Sequence, residues 1–180
     1  MNAEVDVELR EQIRKLCARY PSEYWQKCDR ARVYPEKFVQ ELTDAGYLAC
    51  LIPEQYGGAG LGIREAAVIL EEIHRSGGNA AACHAQMYTM GTVLRHGSPE
   101  QKERWLTGIA SGALRLQAFA VTEPDAGSDT ASISTFAERK GDRYIVNGKK
   151  IFISRMQHSD LMVLLARTTP RADVEKRTQG

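Results

Sequence analysis

The 180 residues carry 24 Lys plus Arg against 23 Asp plus Glu, a formal charge of +1. The chain therefore has no bulk field to draw in nucleic acid or anionic lipid, and any anionic ligand needs a local site. Four cysteines, at 17, 28, 50 and 83, form no C-x-x-C pair and no Cys/His spacing suits zinc, so reduced thiols are expected. A chain of this length can bury roughly 70% of its unfolded surface, enough for one domain or two small ones. The opening Met1 to Arg10 is acidic and lacks the apolar run of a signal peptide, and no later run approaches about 18 apolar residues. The chain reads as cytoplasmic and not membrane-inserted.

The first two thirds read as helices. Leu9, Ile13, Leu16, Cys17 and Tyr20 recur at helical spacing before Pro21, an amphipathic stripe. Pro35 suits a first helical turn, Phe38, Val39 and Leu42 its buried face, and Gly46 a left-handed stop. Ala66, Ala67, Ile69, Leu70 and Ile73 mark a third helix, stopped by Gly77 and Gly78, and a fourth runs from about Ala80 to Arg95. At Ser98-Pro99-Glu100-Gln101 a serine cap, an N-terminal proline and a glutamine three residues on predict a capping box, with Trp105, Leu106 and Ile109 as the apolar face.

From about Arg115 the pattern changes to strands. Leu116 to Val121 and Ile133 to Glu138 are strand-like, the latter ending in the turn Lys140-Gly141-Asp142. Tyr144 to Val146 leads to Asn147-Gly148, a strong hairpin signal, so that Lys150 to Ile153 is expected as the return strand. Leu161 to Ala166 reads as a strand buried on both faces, followed by a polar tail from Arg167. A helical block followed by strands predicts an α+β fold: a helical domain over 1–114, and over 115–180 a β-strand unit with too few strands to close.

Gly57-Gly58-Ala59-Gly60-Leu61-Gly62 invites a phosphate-loop reading, but no strand precedes it and Ile63 stands where a P-loop has lysine. A tight helix-to-helix connection is the better account. His158-Ser159-Asp160 offers triad residue types, yet neighbouring residues on a strand face opposite ways, and Cys83-His84 diverge similarly on a helix. Val121-Thr122-Glu123-Pro124-Asp125-Ala126-Gly127-Ser128-Asp129 is different: after an apolar strand it gathers hydroxyls, carboxylates and a permissive glycine whose exposed N–H groups could hold an anion or a polar ring edge. An ordinary Asp/Ser/Gly turn is the competing account.

That stretch closely resembles the signature of the acyl-CoA dehydrogenases. Three further stretches agree in order and spacing: Pro53 to Gly60, His96 to Lys102 with Trp105-Leu106, and Asn147 to Ser154. The resemblance implies an amino-terminal helical domain, a middle β domain and a carboxy-terminal helical domain, with FAD between the last two. It places Phe119, Ala120, Val121 and Thr122 along one edge of the flavin and Ser128 beside the substrate thioester. Phe152 takes the place of a tryptophan on the flavin ring, followed by Ile153, and Ser154 that of a hydroxyl near flavin N5. Arg155-Met156 stands where the family often has asparagine and glycine. The implied reaction is α,β-dehydrogenation of an acyl-CoA to the 2-enoyl-CoA, with electrons passing to an electron-transfer flavoprotein and the complete protein a homo-oligomer. A flavin monooxygenase or oxidase on the same scaffold, or a non-catalytic acyl-thioester-binding fragment, are the alternatives. The catalytic glutamate is expected beyond Gly180, in a domain the chain does not contain.

Overall fold

The computed structural model describes residues 3–180, with side chains from residue 7 onward. Among the described residues six α-helices precede four short strands: α1 Ala3–Cys17, α2 Ser22–Ala31, α3 Glu36–Asp44, α4 Ile63–Arg75, α5 Ala81–His96, α6 Pro99–Ala110, β1 Leu116–Ala120, β2 Phe136–Lys140, β3 Arg143–Asn147 and β4 Leu161–Leu164. Among the described residues, every helical segment beyond Arg115 is a single 3-10 turn, so the change of period marks a real change of architecture.

The apolar stripes meet as their spacing predicts. Ile13, Phe38, Val39, Leu42, Ile69 and Ile73 are fully or almost fully buried in one cluster shared by α1, α3 and α4, where each large side chain contributes about 1.5–3 kcal/mol relative to exposure. A second cluster joins Ile52, Met90, Val93, Leu106 and Ile109 to Leu116, so β1 is laid directly on α5 and α6. The buried Thr89 hydroxyl of α5 bonds to the Leu116 carbonyl and secures that seam.

Helix α2 is absent from the sequence reading because it buries no residue fully. Its anchor is aromatic: Trp25 packs edge-on against Phe38 at 4.8 Å and its indole N–H donates to the Tyr20 carbonyl at 3.1 Å. A stripe so short has no aliphatic period to read.

The capping box of α6 forms as expected, with the Gln101 N–H donating to Ser98 Oγ at 3.2 Å and the Ser98 N–H to Gln101 Oε1 at 2.9 Å. Ser98→Ala should therefore lower stability by about 1 kcal/mol, read as a shift of the urea midpoint at unchanged slope; no shift would show that the cap is satisfied by water. The glycine loop is also a connection: Gly57 and Gly60 take φ of +83° and +62°. The Gly58, Gly60 and Leu61 N–H groups donate to the Pro53, Ile52 and Cys50 carbonyls, which leaves none of these three for a phosphate.

Three strand expectations need correction. The hairpin turns at Lys140-Gly141-Asp142, joining β2 and β3 antiparallel with Phe136 opposite Asn147, and Asn147-Gly148 is no turn. Gly148 has no positive φ; a Cβ there would lie 2.3 Å from Thr135 Oγ1 and 2.7 Å from Thr135 Cα, so glycine serves close backbone approach. Lys150 to Ile153 consequently returns as irregular chain rather than a strand, and the strand expected at Ile133 starts at Phe136. Finally, β4 pairs parallel with β1 but is not buried on both faces. Leu161 and Val163 pack on the second cluster, while Met162 and Leu164 alternate outward, each 38% exposed. The tail from Arg167 folds back instead of closing the sheet, the Thr168 N–H donating to the Gly180 carbonyl at 3.3 Å.

Candidate functional site

The surface of interest is built where β1 runs out. Phe119 faces outward, 41% exposed, between the buried Ala118 and Ala120, as alternation on a strand requires. Val121 and Thr122 follow half-buried, and the chain then folds on itself through reciprocal backbone bonds between Glu123 and Ala126 at 2.9 and 3.3 Å. Ser128 lies exposed just beyond.

Glu123 is buried and fully engaged. Its Oε2 accepts from the Ser134 N–H at 2.6 Å and the Ser134 hydroxyl at 2.7 Å, and its Oε1 from the Thr135 N–H at 2.9 Å and Lys150 Nζ at 2.8 Å. Burial alone would raise its pKa, but the hydrogen bonds from Lys150, Thr135 and Ser134 outweigh burial and hold the carboxyl far below the usual carboxylate range. A carboxylate whose two oxygens are already filled by four donors has no lone pair left to receive a substrate proton. Glu71, Glu72, Glu100 and Asp129 are likewise shifted downward, chiefly by hydrogen bonds from Arg10, Arg14, Ser98 and Ser132 in turn.

The second stretch is tied to the first. The Ile151 N–H donates to the Thr122 carbonyl at 2.9 Å and Lys150 Nζ to the Val121 carbonyl at 2.9 Å. Immediately afterwards Phe152 takes φ of +58° and leaves its ring 86% exposed. An aromatic residue in the left-handed region is costly and persists only where its surroundings impose it. Ile153 is half-buried and Ser154 exposed, and Arg155 repeats the left-handed geometry at φ +61°, where asparagine or glycine would sit more easily. Phe119 to Thr122 and Phe152 to Ser154 thus come from neighbouring segments bonded to each other, with two rings open to an occupant.

Sequence reasoning missed Lys150, read only as part of a strand, and Tyr88. The Tyr88 ring, 44% exposed, meets Phe119 edge-on at 5.5 Å and His84 at 5.1 Å, extending the aromatic surface along α5. The i, i+4 spacing of the ring-bearing His84 and Tyr88 on an otherwise small and apolar helix was the available signal.

The triad residue types part company: His158 stacks on Tyr34 at 4.2 Å, Ser159 Oγ donates to the Arg155 carbonyl at 3.0 Å, and Asp160 accepts the Arg115 N–H at 2.7 Å. Cys83 is fully buried and faces away from His84. Among the described residues, no group of three or more His, Cys, Asp or Glu could hold a metal ion, and no helix is long and apolar enough to cross a membrane. A cavity of about 250 Å³ between α5, α6, β1 and β4, lined by Val93, Leu161 and Val163 together with His96, Gln101 and Trp105 of the third matching stretch, touches neither the 121–129 loop nor the 147–154 stretch.

A helical bundle thus feeds a short strand into a hydroxyl-bearing turn, beside a second segment with an outward ring. Residues 4–113 match the family "Acyl-CoA dehydrogenase, N-terminal domain" and residues 118–179 the family "Acyl-CoA dehydrogenase, middle domain". The chain belongs to the acyl-CoA dehydrogenase family. It is 35% identical to acyl-CoA dehydrogenase FadE12 of Mycobacterium tuberculosis over 89% of its own length and 41% of the relative's. It is 36% identical to the 3-(aryl)acrylate reductase of Clostridium sporogenes over 96% and 46% of the two chains. It is 39% identical to the cyclohex-1-ene-1-carbonyl-CoA dehydrogenase of Geobacter metallireducens over 84% and 39%. The acyl-CoA dehydrogenase structure from Geobacillus kaustophilus superposes with a TM-score of 0.85 at 32% identity, over 95% of this chain and 45% of that one. A glutaryl-coenzyme A dehydrogenase bound to glutaryl-CoA superposes at 0.84 and 29%, over 96% and 44%. The chain thus spans less than half the length of each of these relatives.

Proposed function

We propose that this chain forms one wall of an FAD site in a cytoplasmic enzyme that dehydrogenates an acyl-CoA thioester between its α and β carbons, giving the 2-enoyl-CoA. The observation that carries this reading is the Ile151–Thr122 backbone bond, which joins the two motif segments into one surface with outward phenylalanines. The residues fit a flavin: Phe119 and Phe152 offer apolar rings to a planar ligand, Thr122 and Ser154 offer hydroxyls to its polar edge, and the half-buried Val121 and Ile153 complete the contact, while Ala120, 0% exposed, backs them from the core and touches no ligand. FAD, when bound, supplies the hydride-accepting ring. Ser128, exposed at the end of the loop, faces the thioester end of the substrate and orients it. Glu123 contributes structure and not proton transfer, so the base comes from outside these residues. Electrons then pass to an electron-transfer flavoprotein, and the working protein is a homo-oligomer. Two of the relatives are named for ring-bearing acyl groups, so aryl and cyclic acyl-CoAs belong in the substrate panel beside straight-chain ones.

The test is purification of the protein carrying this chain, a flavin absorbance spectrum, and anaerobic bleaching with that panel; a colourless protein, or a flavin that no acyl-CoA reduces, overturns the reading. Within it, Ser154→Ala should weaken FAD binding by about 2- to 10-fold, the worth of one hydrogen bond of about 0.5–1.5 kcal/mol. Ser132→Ala, whose hydroxyl bonds Asp129 at 2.7 Å, should leave it unchanged. Equal Kd values for the two variants, by flavin titration, would show that Ser154 does not touch the cofactor.

A further inference from the structure

The Glu123–Lys150 pair is a more expensive device than the local fold requires. Both side chains are almost wholly out of water, 4% and 8% exposed at an N–O distance of 2.8 Å. Removing two charges from water costs so much that a buried ion pair is commonly no more stabilising than an apolar pair of the same volume. Stability is therefore a poor explanation for it, and what the pair connects is a better one.

Four bonds converge on the carboxylate from Ser134, Thr135 and Lys150, about the full acceptor capacity of one carboxylate. Lys150 sends a further bond to the Val121 carbonyl, and its neighbour Ile151 bonds Thr122. Three segments, 121–126, 133–135 and 150–151, are thus pinned at one point. The proposed flavin contacts leave that point in two directions, Thr122 and Phe119 on one side and Phe152 and Ser154 on the other. Gly148 adds to the restraint, because its missing Cβ is what lets the 148–150 chain lie against Thr135.

We infer that Glu123 and Lys150 are positioning residues which set the spacing between the two flavin-contacting segments, with Lys150 as the adjustable member. The inference rests on the proposed flavin site. A binding constellation tolerates displacements of only about 0.5 Å before its contacts weaken. A neutral residue at 150 leaves the buried Glu123 charge short of a partner and frees the Val121 carbonyl, so the 150–154 segment can shift relative to β1.

The experiment uses the holoprotein. Lys150→Met should raise the Kd for FAD at least tenfold and shift the visible flavin spectrum, and Lys150→Arg, which restores the charge, should recover most of the affinity. Glu72→Gln is the control, since Glu72 is an equally buried ion-paired carboxylate, 1% exposed, between α1 and α4. It should lower thermal stability while leaving flavin Kd and spectrum unchanged. If Lys150→Met does not fold, Ser134→Ala, which keeps the buried charge partnered while removing one of its donors, is read instead: a Kd raised beyond threefold supports the inference, and an unchanged Kd overturns it. Wild type that binds FAD while every clamp variant binds it equally well overturns the inference alone. Wild type that binds no FAD overturns the functional reading with it.

Discussion

Replacing both Arg10 and Arg14 by alanine should destabilise the protein by clearly more than the two single changes added together, each of which should have a small effect. The asymmetry comes from Glu72, whose side chain on α4 is 1% exposed. Its Oε1 accepts from Arg10 Nη1 at 2.6 Å and its Oε2 from Arg14 Nε at 2.7 Å, so either arginine alone still covers the charge. With both gone, an ionised carboxylate is left buried between α1 and α4, and undoing that docking is the easiest relief. The two arginines are 27% and 55% exposed, so solvent screening keeps each single effect small.

Acid provides a second readout. Hydrogen bonds from Arg14, outweighing burial and helped by Arg10, lower the Glu72 pKa from 4.5 to about 2. A carboxyl whose folded pKa is depressed contributes stability that is complete above the unfolded pKa and lost as pH falls through the folded one. The wild type should therefore lose this contribution between about pH 4.5 and pH 2. In the double variant burial is unopposed and Glu72 is protonated more easily, so the gap between the proteins should narrow at pH 3 relative to pH 7. Urea midpoints of the four proteins at both pH values check this; additive single effects, with no pH dependence of the gap, would show that Glu72 is not the coupling group.

What was legible in the sequence follows from how many residues carry each signal. Helices α1 and α4 repeat an apolar step over two turns or more and α3 and α6 carry shorter stripes closed by glycine, proline or a cap, and Ser98 and Gln101 announce a boundary through chemistry that acts within three residues. Helix α2 rests on Trp25 reaching Phe38 across the chain, and no local pattern records that. The candidate site divides the same way. The loop 121–129 and the stretch 147–154 are visible because they resemble a known signature. Lys150 gains its meaning only when the fold brings it to Glu123, 27 positions away, and Tyr88 when α5 lies along β1.

Glycine shows the limit most sharply, because one residue type serves two physical purposes that a sequence cannot separate: a left-handed backbone and a close approach. Gly148→Ala should therefore destabilise the β2–β3 region by about 3 kcal/mol, the upper part of the usual cost of overpacking. Gly141→Ala should cost only about 1 kcal/mol, the ordinary penalty for a side chain at positive φ. Gly141 holds φ at +66° with nothing within 4 Å of its added Cβ, so conformational strain is its whole cost. At Gly148 the nearest neighbours include the Thr135 backbone, 2.7 Å away, which cannot rotate aside as a side-chain tip would. Thr135 is itself held by its N–H to Glu123 at 2.9 Å, so the clash passes directly into the Glu123–Lys150 clamp. Hydrogen exchange of the β2 and β3 amides gives the local opening free energy of each variant. If Asn147-Gly148 were a hairpin turn, the two substitutions would cost about the same; a Gly148→Ala loss no larger than that of Gly141→Ala would restore the turn reading and remove the packing argument on which the register of residues 148–154 depends.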